Sequence, residues 1–228
     1  MSGPLASLNI RAAVAALLLA LCAAFALSGT VAAQDTLVAA AERGEILVVR
    51  RLLAEGARVD ARDGRGRTAL LAATQRNHVG VARLLIHEGA DVNAKDFIQD
   101  TPFLVAGAEG RAEILKLMLG AELDLKSVNR FGGTALIPAC RHGHVEAVKV
   151  LLSTAIDKDH LNNVGFTALM EAVILGDGGP SHTEIVRLLV AAGAKVDIAD
   201  REGIAPLAHA RRRGYGSIVF ILEAAGAR

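Results

Sequence analysis

Residues 176–186 read GDGGPSHTEIV: three glycines, an acid and a histidine ahead of an apolar run. Glycines before a helix can cradle a phosphate, because backbone without a Cβ approaches the anion closely. That chemistry needs a preceding strand and a Lys-Ser/Thr pair, and neither is present. A metal needs several convergent ligands, and Asp177 with His182 are only two. His142 and His144 flank Gly143 and make a second two-ligand pair. Cys140 acts as a nucleophile only if exposed beside a cation. Arg141 follows it and keeps that reading open beside the simpler one of a small buried residue. Arg211-Arg212-Arg213 reads as a solvated basic face rather than a nucleic-acid site, since 25 Lys+Arg balance 24 Asp+Glu. No spacing assembles nucleophile, base and orienting group. Neither an enzyme, a metal nor a cofactor is expected.

The elements that position these residues follow from a period. The chain has 228 residues, 52% apolar, 3% aromatic and without tryptophan, so its core is built from Ala, Leu, Val and Ile. Thr68, Thr101, Thr134 and Thr167 are 33 residues apart, the kind of self-similarity that marks a repeat architecture. Cutting on that period gives units at 35–63, 64–96, 97–129, 130–162, 163–200 and 201–228. Four units have a short turn, Gly-bearing in three of them, and then Thr, which can cap a first helix such as 69–76. Gly44, Gly110, Gly143, Gly176 and Gly214, with Asn77, sit where that helix ends in a left-handed residue. A second helix carries an apolar stripe, Val79, Val81, Ala82, Leu84 and Leu85. It stops at Gly-Ala (56–57, 89–90, 193–194, 226–227), a stop that Glu122-Leu123 and Ala155-Ile156 lack, so looser turns are expected there. Helices this short bury both faces only by stacking on neighbours.

The units resemble ankyrin repeats over residues 35–228. The resemblance is carried by Thr68-Ala69-Leu70, Thr101-Pro102-Phe103, His144-Val145-Glu146, His182 to Leu189 and Gly89-Ala90-Asp91-Val92-Asn93. It implies an all-α ankyrin-repeat solenoid of about six helix-turn-helix repeats with protruding turn tips. The usual His after Thr-Pro-Leu is replaced by Leu71, Leu104, Ile137, Met170 and Ala208, and apolar packing is expected in its place. From Thr167 to Ala205 is 38 residues, five more than the period. Residues 177–181, DGGPS, are therefore an insertion between the helices of unit five. It reads as a longer solvated loop, with a partner contact as the alternative, and the resemblance places it at the end of the stack opposite the tips. His78, His144 and His182 share one repeat position, with Tyr215 at the same place, which makes them structural.

Residues 1–33 are a separate object. Arg11 precedes sixteen unbroken apolar residues, 12–27, and Val31-Ala32-Ala33 then places small residues before Gln34. This is the pattern of a cleaved secretory signal peptide, with residues 34–228 as the ankyrin repeat domain. A spanning helix needs roughly 20 apolar residues, so an uncleaved anchor is the lesser reading. Cleavage leaves 228 − 33 = 195 residues, formal charge +1 − 1 = 0 and Cys140 alone, without an internal disulfide. The expected address is the periplasm or outside the cell, and the membrane is a partner only if the segment stays attached.

In the family, tips and the inner face of the first helices form a concave surface that binds proteins. Carried onto this chain, the tips are Gly64, Arg65 and Arg67; Phe97, Ile98 and Asp100; Arg130, Phe131 and Gly133; Asn163, Val164 and Phe166; Arg201, Glu202 and Ile204. The inner helices add Gln75, Arg76, Ala108, Glu109, Arg141, His142, Ile174, Leu175, Arg212 and Arg213. The expected protein-binding residues are Phe97, Ile98, Asp100, Arg130, Phe131, Val164, Phe166, Ile174 and Leu175. Exposed apolar residues on neighbouring tips mark an interaction surface; aromatic tips can equally pack on one another. Phe220 stands where Arg83, Lys116, Lys149 and Arg187 stand, an imperfect cap or a small contact site. The implied protein is a monomeric scaffold for a protein partner, without nucleic acid, in stress defence by family analogy. An inhibitor or immunity-type protein occluding an enzyme, and a membrane-tethered scaffold, are the alternatives.

Overall fold

The computed structural model describes residues 37–228; the segment 1–33 and its expected cleavage lie outside them. Twelve helical segments occur among the described residues: α1 over 37–43, α2 (Ile46–Ala54), α3 (Ala69–Gln75), α4 (Val79–His87), α5 (Pro102–Ala108), α6 (Ala112–Met118), α7 (Leu136–Arg141), α8 (Val145–Leu152), α9 (Ala168–Ile174), α10 (Pro180–Ala191), α11 (Pro206–Arg212) and α12 (Gly216–Ala224). They form six pairs, one per repeat. First helices pack on first helices, α3 on α5, α5 on α7, α7 on α9 and α9 on α11; second helices follow suit from α2 to α12. The fold is an all-α solenoid, and its core runs along the stack as columns.

The columns explain the composition. Ala73, Ala106, Ala139, Ala172 and Ala210 recur at one position and are all fully buried, which lets first helices approach closely. At Gly107 the approach is closer still: a Cβ there would lie 2.6 Å from the Ala135 carbonyl oxygen. A second column, Leu70, Phe103, Leu136, Leu169 and Leu207, fills the space beside it. Burying each such side chain contributes about 1.5–3 kcal/mol before entropy is counted. Leu71, Leu104, Ile137 and Met170 are buried as expected, while Ala208 is only half-buried.

Polar groups tie neighbouring repeats together with the same period. His78 Nε2 bonds the Glu42 carbonyl at 3.0 Å, and the Arg111 guanidinium donates to the Gln75 carbonyl at 3.2 Å. His144 bonds the Ala108 carbonyl, His182 Nε2 that of Arg141 at 3.0 Å, and the Tyr215 hydroxyl donates to Gly176 at 3.1 Å. A backbone acceptor left at each helix end is thus satisfied by the next repeat. The rings lie over left-handed residues: His78 over Gly44, His144 over Gly110 and Tyr215 over Gly178.

That ladder corrects two expectations for unit five. Gly176 has no positive φ; the left-handed residue is Gly178 at +69°, because Tyr215 stacks there. Nor is DGGPS all loop. Pro180 and Ser181 are helical, so α10 grows to 12 residues, and Asp177 is held by His182 Nδ1 at 2.7 Å and the Gly179 N–H at 2.8 Å.

Thr caps three helices, not four. Thr68, Thr101 and Thr167 each accept the N–H three residues on. Thr134 does not. Pro138 has no N–H to give the Thr134 carbonyl, so that carbonyl takes the Ile137 N–H instead. The Thr134 hydroxyl is left buried without a partner, and α7 starts late at Leu136. The missing Gly-Ala stops also leave a trace. Helix α6 ends at Met118, two residues short of the length of α4, and after α8 the Ser153 and Thr154 hydroxyls donate to the Val150 and Leu151 carbonyls.

Candidate protein-binding face

Each tip is built by one side chain. Asp63, Asp96, Asn129, Asn162 and Asp200 precede the five tips. The Oδ1 of each accepts the N–H groups two and four residues on, at 2.8–3.1 Å. This is the local Asx bond that lets a short loop replace regular structure. The first two residues of each tip then face out, and the fourth turns back toward the first helix.

That geometry sorts the expected site residues. Phe97 is 74% exposed, Ile98 53%, Phe131 60% and Val164 52%; they are the outward row. Phe97 nevertheless packs along the stack, since its ring lies against Gly66. The Arg130 guanidinium sits 4.7 Å from the Phe131 ring centre and 3.5 Å from Asp100. The fourth-position residues correct the sequence reading. Arg67 is buried and Asp100 and Phe166 are partly buried, because the Asx turn points them at the inner helix. Arg67 meets Gln75 there at 3.2 Å; Phe166 holds the same register toward Ile174. Ile174 is half-buried and Leu175 exposed.

Two hollows open between these rows. One, of about 370 Å³, is lined by Gly64, Arg65, Arg67, Gln75, Phe97 and Ile98. The other, of about 220 Å³, lies between Asp100, Ala108, Glu109, Phe131, Arg141 and His142. The sequence-expected residues are therefore spread along a ridge and its inner wall; the structure does not gather them into one pocket.

Which charges on the inner wall are paired was not legible in the sequence. Arg67 bonds Glu42 at 2.9 Å and Asp63 at 2.8 Å, and Arg76 reaches Glu42 at 3.1 Å. The hydrogen bond from Arg67 leads in pulling the Glu42 carboxyl down to about 2, against its burial. Arg111 pairs with Glu109 at 2.9 Å. Burial pushes the Asp100 carboxyl up, Asp96 adds to that, and Arg130 pulls the other way. Glu171 was missed altogether. It is 4% exposed and its Oε1 accepts from Asn162 at 2.7 Å, while its Oε2 has no partner. Burial pushes its carboxyl up, opposed by Arg141 and Asn162. The available signal was an acid inside the apolar stretch ALMEAVI.

The other chemical candidates sit in the frame. Cys140 is fully buried, and burial above all, then Glu171, pushes its thiol up, the opposite of an activated nucleophile. The His142 and His144 rings are 5.9 Å apart, and burial holds both below the usual histidine range. Among the described residues no three His, Cys, Asp or Glu converge on a metal position. Arg211 pairs with Glu223 at 2.6 Å, and Arg213 lies 6.0 Å from the Tyr215 ring centre.

Comparison with known proteins meets this architecture. A family model described as Ankyrin repeats (3 copies) matches residues 6–96 and 103–200. A crystallised ankyrin repeat domain from Acinetobacter baumannii AYE is 50% identical with a TM-score of 0.81, covering 84% of this chain and 98% of its own. The ankyrin repeat protein EF0377 is 41% identical at 0.80, covering 83% and 96%. The ankyrin repeat domain of human ASB11 is 26% identical at 0.70, covering 84% of each. The ankyrin repeat protein YahD of Escherichia coli (strain K12) is 45% identical over 58 residues, which is 25% of this chain and 29% of YahD.

Proposed function

This chain belongs to the ankyrin repeat family, and from that premise we propose that it is an exported scaffold that grips a protein partner with its tips and inner helices. The repeat frame is a protein–protein interaction scaffold. The finer reading places the contact on Phe97, Ile98, Asp100, Arg130, Phe131, Val164, Phe166, Ile174 and Leu175. One observation carries it: large apolar side chains stand exposed on three successive tips, Phe97 and Ile98, then Phe131, then Val164. Turns are polar unless something covers them, and such a row is what an interface core is made of. The Asx bonds hold these backbones rigid, so the row presents itself at low entropic cost. Export rests on the pattern of residues 1–33, and the mass of the mature N-terminus tests it.

Phe166 is partly buried, so the test variant leaves it alone. Phe97→Ser with Phe131→Ser and Val164→Ser is expected to melt within about 1 kcal/mol of wild type, as surface changes do. The same variant is expected to lose a partner that the wild-type protein retains from native extract. A partner held equally by both would remove the tip row from the site.

A further inference from the structure

We propose that the inner face of repeats four to six receives an acidic protein segment whose apolar centre is flanked by acids on both sides. This rests on the reading above and names the partner's chemistry. The ends of the first helices supply one position per repeat. In repeat four it holds Arg141 and His142, in repeat five Ile174 and Leu175, and in repeat six Arg212 and Arg213. Helix α9 packs between α7 and α11, so the order across the face is basic, apolar, basic. At the tips Arg130 and Arg201, each first in its turn, flank Asn163 and the exposed Val164, with Arg130 paired to Asp100 and Arg201 donating to the Asn163 carbonyl.

These cations are available. Arg141, Arg201, Arg212 and Arg213 are exposed, and none is in an ion pair among the described residues. The nearby acids are already engaged or few: Asp100 and Glu109 beside Arg141 pair with Arg130 and Arg111, and Glu171 is buried, bonded to Asn162 and within the field of Arg141. Asp177 is bound by His182 and the Gly179 N–H, and Glu202 is the single acid on the tips 130–133, 163–166 and 201–204. In repeats one to three the inner-wall cations are already matched, Arg67 and Arg76 by Glu42 and Arg111 by Glu109, and among the tip and inner-wall cations there only the tip residue Arg65 stands exposed outside the ion pairs of the described residues. A guanidinium binds a carboxylate through two parallel hydrogen bonds. The exposed Leu175 and Val164 between the arginines want an apolar side chain, not a sugar-phosphate backbone.

The test uses protein purified from cells expressing the whole chain and fluorescence anisotropy with four labelled probes. One is a peptide with Leu-Phe between two runs of Glu and Asp. The second has the same composition with Leu and Phe at its ends, the third replaces the acids with Lys, and the fourth is a single-stranded oligonucleotide of similar length. The first is expected to bind tightest, and to weaken as salt rises from about 50 to about 300 mM. Arg141→Ala with Arg212→Ala and Arg213→Ala is expected to weaken it roughly tenfold or more. Leu175→Ser is expected to abolish the preference over the second peptide, and Arg50→Ala with Arg83→Ala on the outer helices to change nothing. Equal binding of the two acidic peptides, tighter binding of the Lys peptide or the oligonucleotide, or an unaffected arginine variant would overturn the proposal. Photo-crosslinkers at positions 98, 131 and 175 in the producing cell separate the two claims. A protein captured at 98 or 131 while the acidic peptide fails leaves the scaffold reading standing and removes this one. No protein captured at any of the three removes both.

Discussion

Repeats one to three and repeats four to six share one frame but treat charge on the inner face in opposite ways. In the first half the tip's inward residue is charged, Arg67 or Asp100, and it is matched in place. In the second half that residue is Gly133, Phe166 or Ile204, and Arg141, Arg212 and Arg213 face solvent. Partly buried pairs hold a fold together only while both partners remain. Exposed, unpaired arginines contribute almost nothing to stability and are free for a ligand. The difference teaches that one repeat position can serve the frame or the surface, depending on whether a neighbouring repeat supplies its counter-charge.

The comparison breaks most severely at Arg67. Arg67→Ala strands Asp63 without its cation and leaves Glu42 only the exposed Arg76, and is expected to cost about 3 kcal/mol. Arg212→Ala is expected to stay within about 0.5 kcal/mol. Thermal melts of the two variants check it, and equal losses would erase the contrast.

A smaller effect tests the first half by pH. The Glu42 carboxyl is lowered from 4.5 to about 2, so it binds fewer protons folded than unfolded below pH 4.5. Its contribution is therefore complete above about 4.5 and is lost as pH falls toward 2. Glu42→Gln is expected to cost about 1 kcal/mol at neutral pH, discounted for its partial exposure. The gap from wild type is expected to close across that acid window. A gap that stays constant with pH would mean that Arg67 draws its support from Asp63 alone.

An effect of similar size carries the opposite sign and sits in the second half. The Glu171 carboxyl is raised by burial, so its ionisation opposes folding and stability is lost as pH rises through its folded value. Glu171→Gln mimics the protonated acid and is expected to raise the neutral-pH melting point by about 1 kcal/mol of stability. The gain is expected to vanish below the ordinary carboxylate range. A loss at neutral pH would show that the carboxylate is held by Arg141 more strongly than burial opposes it.

Local rules were readable residue by residue. The threonine period located the turns, and the glycines at 56, 89, 193 and 226 do carry positive φ. The outward exposure of Phe97, Ile98, Phe131 and Val164 followed from their place in the turn. Of the readings that failed, one did so through a partner distant in sequence and one through a proline four residues on. Gly176 looked like the helix stop, but Tyr215, 39 residues on, lies over Gly178. Thr134 has the capping residue type, yet Pro138 withdrew the donor that would have left its hydroxyl free to cap.

The sequence by itself determined the all-α stack, its period and its outward row, because helix spacing, turn chemistry and Asx bonds act over a few residues. Only the tertiary structure decided which charges are matched. Arg67 and Glu42 are 25 residues apart and meet because repeats stack, whereas Arg141 feels Glu171 without forming an ion pair with it, and neither Arg141 nor Arg212 is in an ion pair among the described residues. Whether a charge is satisfied depends on dielectric and distance, and neither can be read along a chain.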